Sequence, residues 1–392
     1  MEIGTMMPQI RLSSALQQPD WSDTSQVRRV GEMLASRPPL VREADVRSLR
    51  ALLAEVAAGR ALVLQAGDCA ENAEECSQVQ VSRKTAMLDV LAGTLRMIAH
   101  KPVVRVGRIG GQFGKPRSQS TEKVGDLTLP VFRGHIVNGP EPTPESRAPD
   151  PLRMLTGYMA ASDIMEHLGW RGSFRRPGSD PPVWTSHEAL ILDYEVPMLR
   201  RNGLGTLMLG STHWPWVGER TRQVTGPHVE LLAQISNPVA CKIGPEITED
   251  ELMALCERLD PDREPGRLTL IARIGADRAS RQLPTLVECV RGAGFPVIWL
   301  CDPMHANTVR TPDGRKTRVV ETLRQEVKDF VAAVTAAGGV PGGLHLETTP
   351  DDVTECVADE ASLTRLGDRY TSLCDPRLTL DQAVAVVSAW AD

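Results

Sequence analysis

The sequence predicts a (β/α)8 barrel preceded by an N-terminal extension. Three observations carry this. Apolar runs recur eight times between residues 62 and 347, and segments of helical period separate most of them. Charged and polar side chains collect just after those runs, where a barrel of parallel strands places its active site. The runs are continuous and not alternating, as strands covered on both faces require.

Residues 1–60 read as an arm and a first helix, and residues 61–392 as the barrel. The arm, to about residue 43, is expected to be irregular, with QQPDW (17–21) and PPLV (38–41) laid extended over a surface. Its Trp21 is expected to anchor on the body of the protein or on a neighbouring subunit. Val46, Leu49, Leu52, Leu53 and Val56 mark a helix over 44–59. Strands are predicted at 62–66, 103–109, 189–192, 206–210, 239–243, 268–274, 297–301 and 343–347. Helices are predicted at 78–99, 222–236, 248–259, 278–292 and 318–337. The long connection 111–184 holds a loop at 132–139, a helix from Pro151 to Leu168, and the polar RGSFRRPGSDPP (171–182), which reads as a surface loop. The chain closes with TSLCDPRL (371–378) and a helix from Thr379 to Trp390.

Composition narrows the function. A net charge of −6 argues against a general nucleic-acid binder, so basic residues gathered at strand ends point to small anionic ligands. Eight cysteines without a CxxC pair suggest neither a disulfide framework nor a zinc ribbon, but a reduced, cytoplasmic protein. No stretch approaches the roughly 18 apolar residues of a membrane span.

Taken together, the strand ends assemble a chemistry. Strand one ends in Asp68-Cys69, strand two in a group of Arg105, Arg108, Lys115 and Arg117, strand five at Lys242 and strand six at Arg273. Strand seven ends in Asp302 and His305, strand eight in His345 and Glu347, and Asp375 follows in the last loop. Cys69, His305, Glu347 and Asp375 can form a mixed S/N/O site for a divalent transition metal. No local spacing enforces that reading: Cys69 also fits a small buried hydrophobe, and His305 a hydrogen-bonded histidine near a turn. The cations Arg108, Lys115, Arg117, Arg220, Lys242, Arg273 and Lys316 suit a ligand with more than one phosphate or carboxylate. Lys316 and Arg117 taken singly also fit ordinary surface loops, whereas Lys242 and Arg273 follow apolar runs and need a counter-charge.

Eight segments then resemble, in order, the signatures of class II 3-deoxy-D-arabino-heptulosonate 7-phosphate (DAHP) synthases. They are QAGDCAE (65–71), RVGRIGGQFGKPRS (105–118), SHEALILDYE (186–195), GERTRQVTGPH (218–228), NPVACKIGP (237–245), CDPMHANT (301–308), GGLHLETTPDDVTEC (342–356) and CDPRLT (374–379). The resemblance implies a divalent metal, manganese or cobalt, on Cys69, His305, Glu347 and Asp375. It implies phosphoenolpyruvate on Arg108, Glu219, Arg220, Lys242 and Arg273 beside Trp216, with Glu219 and Lys242 holding the water that adds during catalysis. Erythrose 4-phosphate would sit on Lys115 to Ser118, including Arg117, and on Lys316. A homodimer built with the arm is also implied.

Two departures bear on specificity. Arg133-Gly134-His135 stands where the family reads RGD, and Ala66 replaces a usual glycine. His135 leaves open an acceptor bearing nitrogen, giving aminoDAHP, or a loop histidine without active-site contact. The chain is also short where long-form relatives carry extra helices, with that region compressed into 170–184, so weak or absent feedback inhibition by aromatic amino acids is expected. A rival reading is an inactive homologue acting as a partner subunit, which the intact metal and phosphoenolpyruvate positions disfavour.

Overall fold

The computed structural model describes residues 10, 12–172, 182–202 and 205–391. Its centre is a closed barrel of β1 (Leu62–Gly67), β2 (Val103–Arg108), β3 (Trp184–Glu188), β4 (Trp214–Val217), β5 (Val239–Ile243), β6 (Leu268–Ala272), β7 (Ile298–Cys301) and β8 (Pro341–Glu347). Each strand pairs in parallel with its neighbours in chain order, and β1 closes on β8 through Val63↔Gly343 to Gly67↔Glu347. Gly343 allows the closure: a Cβ there would lie 1.9 Å from the Val63 carbonyl oxygen.

The surrounding helices are α1 (Thr24–Ser36), α2 (Glu43–Ala57), α3 (Gln78–Ala99), α4 (Leu152–His167), α5 (Pro227–Gln234), α6 (Glu249–Leu259), α7 (Ala279–Gly292), α8 (Val320–Ala336) and α9 (Leu380–Ser388). Local chemistry fixes their ends. Ser77 and Gln80 form a capping box at the start of α3, and Thr379 and Gln382 form another at α9. In α2 the expected stripe of Val46, Leu49, Leu53 and Val56 is buried, while Leu52 faces outward. No helix among the described residues is long and apolar enough to cross a membrane.

Two strand positions differ from the sequence reading. The third barrel strand is Trp184–Glu188, and the apolar run predicted at 189–192 leads from it into a helical turn, Leu192–Glu195. The run predicted at 206–210 supplies Leu207–Leu209 to a two-stranded antiparallel sheet with Leu199–Arg201, outside the barrel, and the fourth barrel strand is Trp214–Val217. The physical reason is that β3 carries buried polar residues satisfied by partners on neighbouring elements. Gln65 Nε2 donates to Ser186 Oγ at 2.7 Å, Ser186 Oγ donates to the Trp214 carbonyl, and His187 Nε2 meets Glu195 Oε1 at 2.8 Å. β4 hides behind Pro215, a residue that ordinarily argues against a strand.

The arm is also more ordered than expected. Asp23 accepts a hydrogen bond from the Gln26 backbone at 2.9 Å and caps α1, which buries Val30 and Leu34. With only those two residues buried, the helical period is faint in the sequence. Trp21 anchors on the protein's own barrel, its Nε1 donating to Asp193 Oδ2 at 2.8 Å. Of the loop predicted at 171–182, residues 173–181 lie outside the described residues.

Candidate active site

Three strand ends and one loop deliver the acidic centre. Cys69 follows β1, Glu347 ends β8, and Asp375 lies in the loop before α9. That loop is stitched to β8: Leu378 N–H donates to the Glu347 carbonyl at 3.0 Å and Thr349 N–H to the Leu378 carbonyl at 2.9 Å. Asp68 and Arg377 join the loop to β1, with Arg377 Nη1 donating to Asp68 Oδ1 at 2.9 Å. Cys69, Glu347 and Asp375 consequently offer donor atoms within 4.8 Å of one another. His305 joins them through Nε2, 3.0 Å from Glu347 Oε1.

These residues fit a divalent metal. The Lys115 ammonium lies among them as a stand-in cation, 2.8 Å from Cys69 Sγ, 3.1 Å from Glu347 Oε1 and 3.0 Å from Asp375 Oδ2. Thiolate, imidazole and carboxylate together suit a borderline-soft transition ion. Burial favours the neutral form of Glu347, yet His305, Lys115, Arg318 and Arg108 outweigh it and hold its carboxyl well below the usual range. Burial, with Cys374 and Glu347 nearby, pushes the Cys69 thiol well up. The sequence placed Lys115 with the acceptor's phosphate; it also lines the cavity described below, but its Nζ is turned into the acidic cluster.

The glycine turn after β2 holds a protein carboxylate. Gly110, Gly111 and Gln112 N–H groups donate to Glu71 at 2.9, 2.9 and 2.8 Å. This fixes the loop from which Lys115 and Arg117 project. Arg108 is held from two sides, its Nη2 donating to Glu347 Oε1 at 3.1 Å and its Nη1 lying 2.6 Å from His345 Nε2. A guanidinium only donates, so His345 Nε2 accepts and its Nδ1–H donates to Gln65 Oε1 at 2.6 Å. Burial, with Lys242 nearby, keeps the His345 pKa well below its usual value, consistent with that neutral tautomer.

A cavity of about 450 Å³ opens over this centre. Its lining gathers Arg108, Lys115, Arg117, Ser118, Trp216, Glu219, Arg220, Lys242, Arg273, His305, Lys316 and Asp375, so the cations expected to bind the ligand arrive at one place, whereas Arg105 of the strand-two group pairs with Asp89 instead. Lys242 Nζ lies 2.8 Å from Asp302 Oδ2, and Arg220 Nη2 donates to Ser118 Oγ at 2.7 Å. Burial outweighs Asp302 and lowers the Lys242 pKa, which suits a group that exchanges protons. The Lys242 ammonium and the Arg108 guanidinium lie 5.9 and 5.4 Å from the Trp216 ring centroid.

Other residues of the site were missed by sequence reasoning. Glu188 lines the cavity with a buried Oε1 that has no hydrogen-bond partner, and burial raises its pKa against the pull of Lys242 and Lys115. Gly218 makes room for it, since a Cβ there would lie 2.1 Å from Glu188 Oε1. Glu219, which the sequence did single out, also keeps a buried, unpartnered Oε2 while its Oε1 accepts from Arg222 at 2.9 Å. Arg318, fully buried, sets Nη1 2.9 Å from Glu347 Oε2. Glu219 itself was named from the sequence through the family resemblance; nothing local marks Glu188 or Arg318. His135 is not among the cavity-lining residues and packs edge-on against Phe132, with ring centroids 5.3 Å apart.

Comparison with known proteins agrees with this geometry. A family model described as the class-II DAHP synthetase family matches residues 6–170 and 164–391. A Pseudomonas fluorescens protein named "Probable phospho-2-dehydro-3-deoxyheptonate aldolase" is 55% identical over 388 residues, covering 98% of this chain and 96% of its own. A Streptomyces coelicolor "Phospho-2-dehydro-3-deoxyheptonate aldolase" is 40% identical, covering 96% of each chain. Mycolicibacterium smegmatis "Phospho-2-dehydro-3-deoxyheptonate aldolase AroG" is 36% identical, covering 95% of this chain and 92% of its own. Those last two alignments run over 430 and 432 residues, so both relatives carry residues that this chain of 392 lacks. In fold, the chain is similar to the solved phospho-2-dehydro-3-deoxyheptonate aldolase of Francisella tularensis SCHU S4, with a TM-score of 0.55, 12% identity, and coverage of 92% of this chain and 95% of that one. With a family match over nearly its whole length and close full-length relatives, the chain belongs to the class II DAHP synthase family.

Proposed function

We propose that the cavity joins phosphoenolpyruvate to erythrose 4-phosphate, yielding DAHP and inorganic phosphate. The observation that carries this reading is the convergence of an S/N/O donor cluster and a ring of arginine and lysine side chains on one cavity. Arg108, Arg220, Lys242 and Arg273 would bind the phosphate and carboxylate of phosphoenolpyruvate against Trp216. Arg117, Ser118 and Lys316 would receive the aldose phosphate. Cys69, His305, Glu347 and Asp375 would hold a divalent ion, manganese or cobalt, which when bound supplies Lewis-acid polarisation of the acceptor aldehyde.

The residues of the chain divide the remaining work. The guanidinium groups screen two anions from each other and align the enol carbon with the aldehyde carbon. As the new carbon–carbon bond forms, the aldehyde oxygen takes up a proton. Water adds to the former enol C2, positioned by Glu219 and Lys242, and phosphate leaves with cleavage of its bond to carbon. Lys242, with its lowered pKa, and the unpartnered Glu219 Oε2 support that assignment.

The enzyme is read as a cytoplasmic homodimer with weak or absent feedback inhibition, serving a secondary-metabolite route. Support for the regulatory reading is that the family match falls in two pieces meeting at residues 164–170, beside the compressed segment. No observation favours the nitrogen-bearing acceptor, because His135, its one hint, does not line the cavity.

The test is phosphate release from phosphoenolpyruvate and erythrose 4-phosphate, with manganese and after EDTA treatment, with mass analysis of the product. Metal-dependent formation of a seven-carbon keto-acid phosphate is expected. Absence of turnover in folded, metal-loaded protein overturns the reading.

A further inference from the structure

An antiparallel hairpin, Thr308–Arg310 with Lys316–Arg318, borders the cavity. Its register pairs Thr308 with Arg318 and Arg310 with Lys316, and the two-residue alternation of a strand puts all four side chains on one face. That face carries three cations, two in contact with the acidic centre and the third, Arg310, beyond it. Arg318 is fully buried and meets Glu347 Oε2 at 2.9 Å. Lys316 is about one third exposed and meets Asp375 Oδ1 at 2.8 Å. Arg310 is exposed, lines the cavity, and donates from Nη1 to the Gly314 carbonyl at 2.7 Å, with no carboxylate partner among the described residues.

Like charges directly opposite each other in a β pair are destabilising. Asp375 answers only Lys316 and is itself shared with Lys115. Elsewhere in the lining Arg117 already has Glu122 at 3.6 Å. The Arg310–Lys316 pair therefore carries two positive charges against one shared carboxylate, and the Arg310 charge stands unanswered at the mouth. It stands one two-residue step, about 7 Å along the strand, from the level of Arg318 and Glu347. A short sugar chain with its carbonyl at the acidic centre and a phosphate ester at its far end spans that step.

We infer that Arg310, paired across the hairpin with Lys316, binds the phosphate of the acceptor aldose and sets the acceptor's length. The inference rests on the reaction proposed above and adds a residue to it. Arg310 acts on acceptor specificity and is not part of the phosphoenolpyruvate site. Because its side chain is exposed, it can be replaced without disturbing the barrel.

Steady-state kinetics of the manganese-loaded wild type, Arg310→Ala and Arg310→Lys, with erythrose 4-phosphate and with unphosphorylated erythrose, test this. Loss of a charge-assisted phosphate contact should raise the KM for erythrose 4-phosphate in Arg310→Ala about tenfold or more. The KM for phosphoenolpyruvate should stay within about twofold, and the preference for the phosphorylated acceptor over erythrose should fall by about the same tenfold factor. Arg310→Lys should recover part of the loss. An unchanged KM for erythrose 4-phosphate overturns the inference, as does an equal loss with both acceptors or a rise confined to phosphoenolpyruvate. A wild type that fails to turn over erythrose 4-phosphate overturns the reaction itself, and this inference with it.

Discussion

Arg318 has no contact with solvent, yet it decides how one predicted metal donor is held. Its guanidinium meets Glu347 Oε2 and donates to the Pro376 carbonyl, so the donor on β8 and the loop bearing Asp375 share one clamp. The Thr308 hydroxyl accepts from its Nε at 3.2 Å. Removing one partner of a buried ion pair leaves the other charge stranded, at a cost of about 3–5 kcal/mol. Arg318→Met should lower thermal stability and weaken manganese binding, measured calorimetrically, by about ten- to a hundredfold. Unchanged metal affinity in a folded variant would make the clamp merely structural. Arg318 was not legible in the sequence because its role depends on strands closing some thirty residues downstream, whereas Cys69 and His305 stood in strand-end motifs that resemble the family's, although no local spacing marked them as ligands.

At the scale of elements, α8 carries one buried acid, Glu326, among the apolar side chains that pack it on the barrel. Glu326 Oε1 accepts from Gly275 N–H at 2.8 Å and Oε2 from the Asn307 side chain, which ties α8 to the loops after β6 and β7. Burial pushes its pKa up to about 7 from an ordinary 4.5, against the pull of those hydrogen bonds. Between these two values the folded state binds more proton than the unfolded one. Its contribution to stability is therefore greatest on the acid side and declines as pH rises toward 7. Glu326→Gln should gain stability relative to the wild type by up to about 3 kcal/mol between pH 5 and 8, read by urea unfolding at each pH. A pH-independent difference between the two proteins would contradict this. The same scale explains where sequence reading worked. Most helices, and the strands of uniformly apolar residues such as β5 and β6, were placed to within a few residues. β3 and β4 were missed because their polar or proline-containing segments are satisfied only by partners elsewhere in the barrel, and α1 because it buries only two apolar side chains.

The whole molecule pairs a net charge of −6 with a cavity lined by cations. The acidic exterior and basic interior favour small anions over polyanions. Its shorter length than the 430- and 432-residue alignments with two relatives is why weak feedback control is expected. Tryptophan, phenylalanine and tyrosine, singly at up to submillimolar concentration, should leave the initial rate within about twofold, a change of under 1 kcal/mol. Substantial inhibition by any of them would show that an effector site survives without the residues the longer relatives carry. How the site is distributed was legible in part: the eight motifs appear in order along the chain, but which of them face each other is a property of barrel closure.

That closure has a consequence for how the protein is made. Cys69 and Asp375 are 306 residues apart, and His345 reaches Gln65 across 280. During synthesis from the N-terminus, Arg108 leaves the ribosome long before Glu347 exists to balance it. At translation rates of about 5–20 residues per second the gap lasts some tens of seconds. Until β8 docks, the half-built barrel carries an open edge and an unanswered positive charge, so this interval is when a nascent chain most needs protection. Synonymous codon changes that slow translation between β2 and β8 should therefore reduce soluble yield before they alter any property of the finished enzyme.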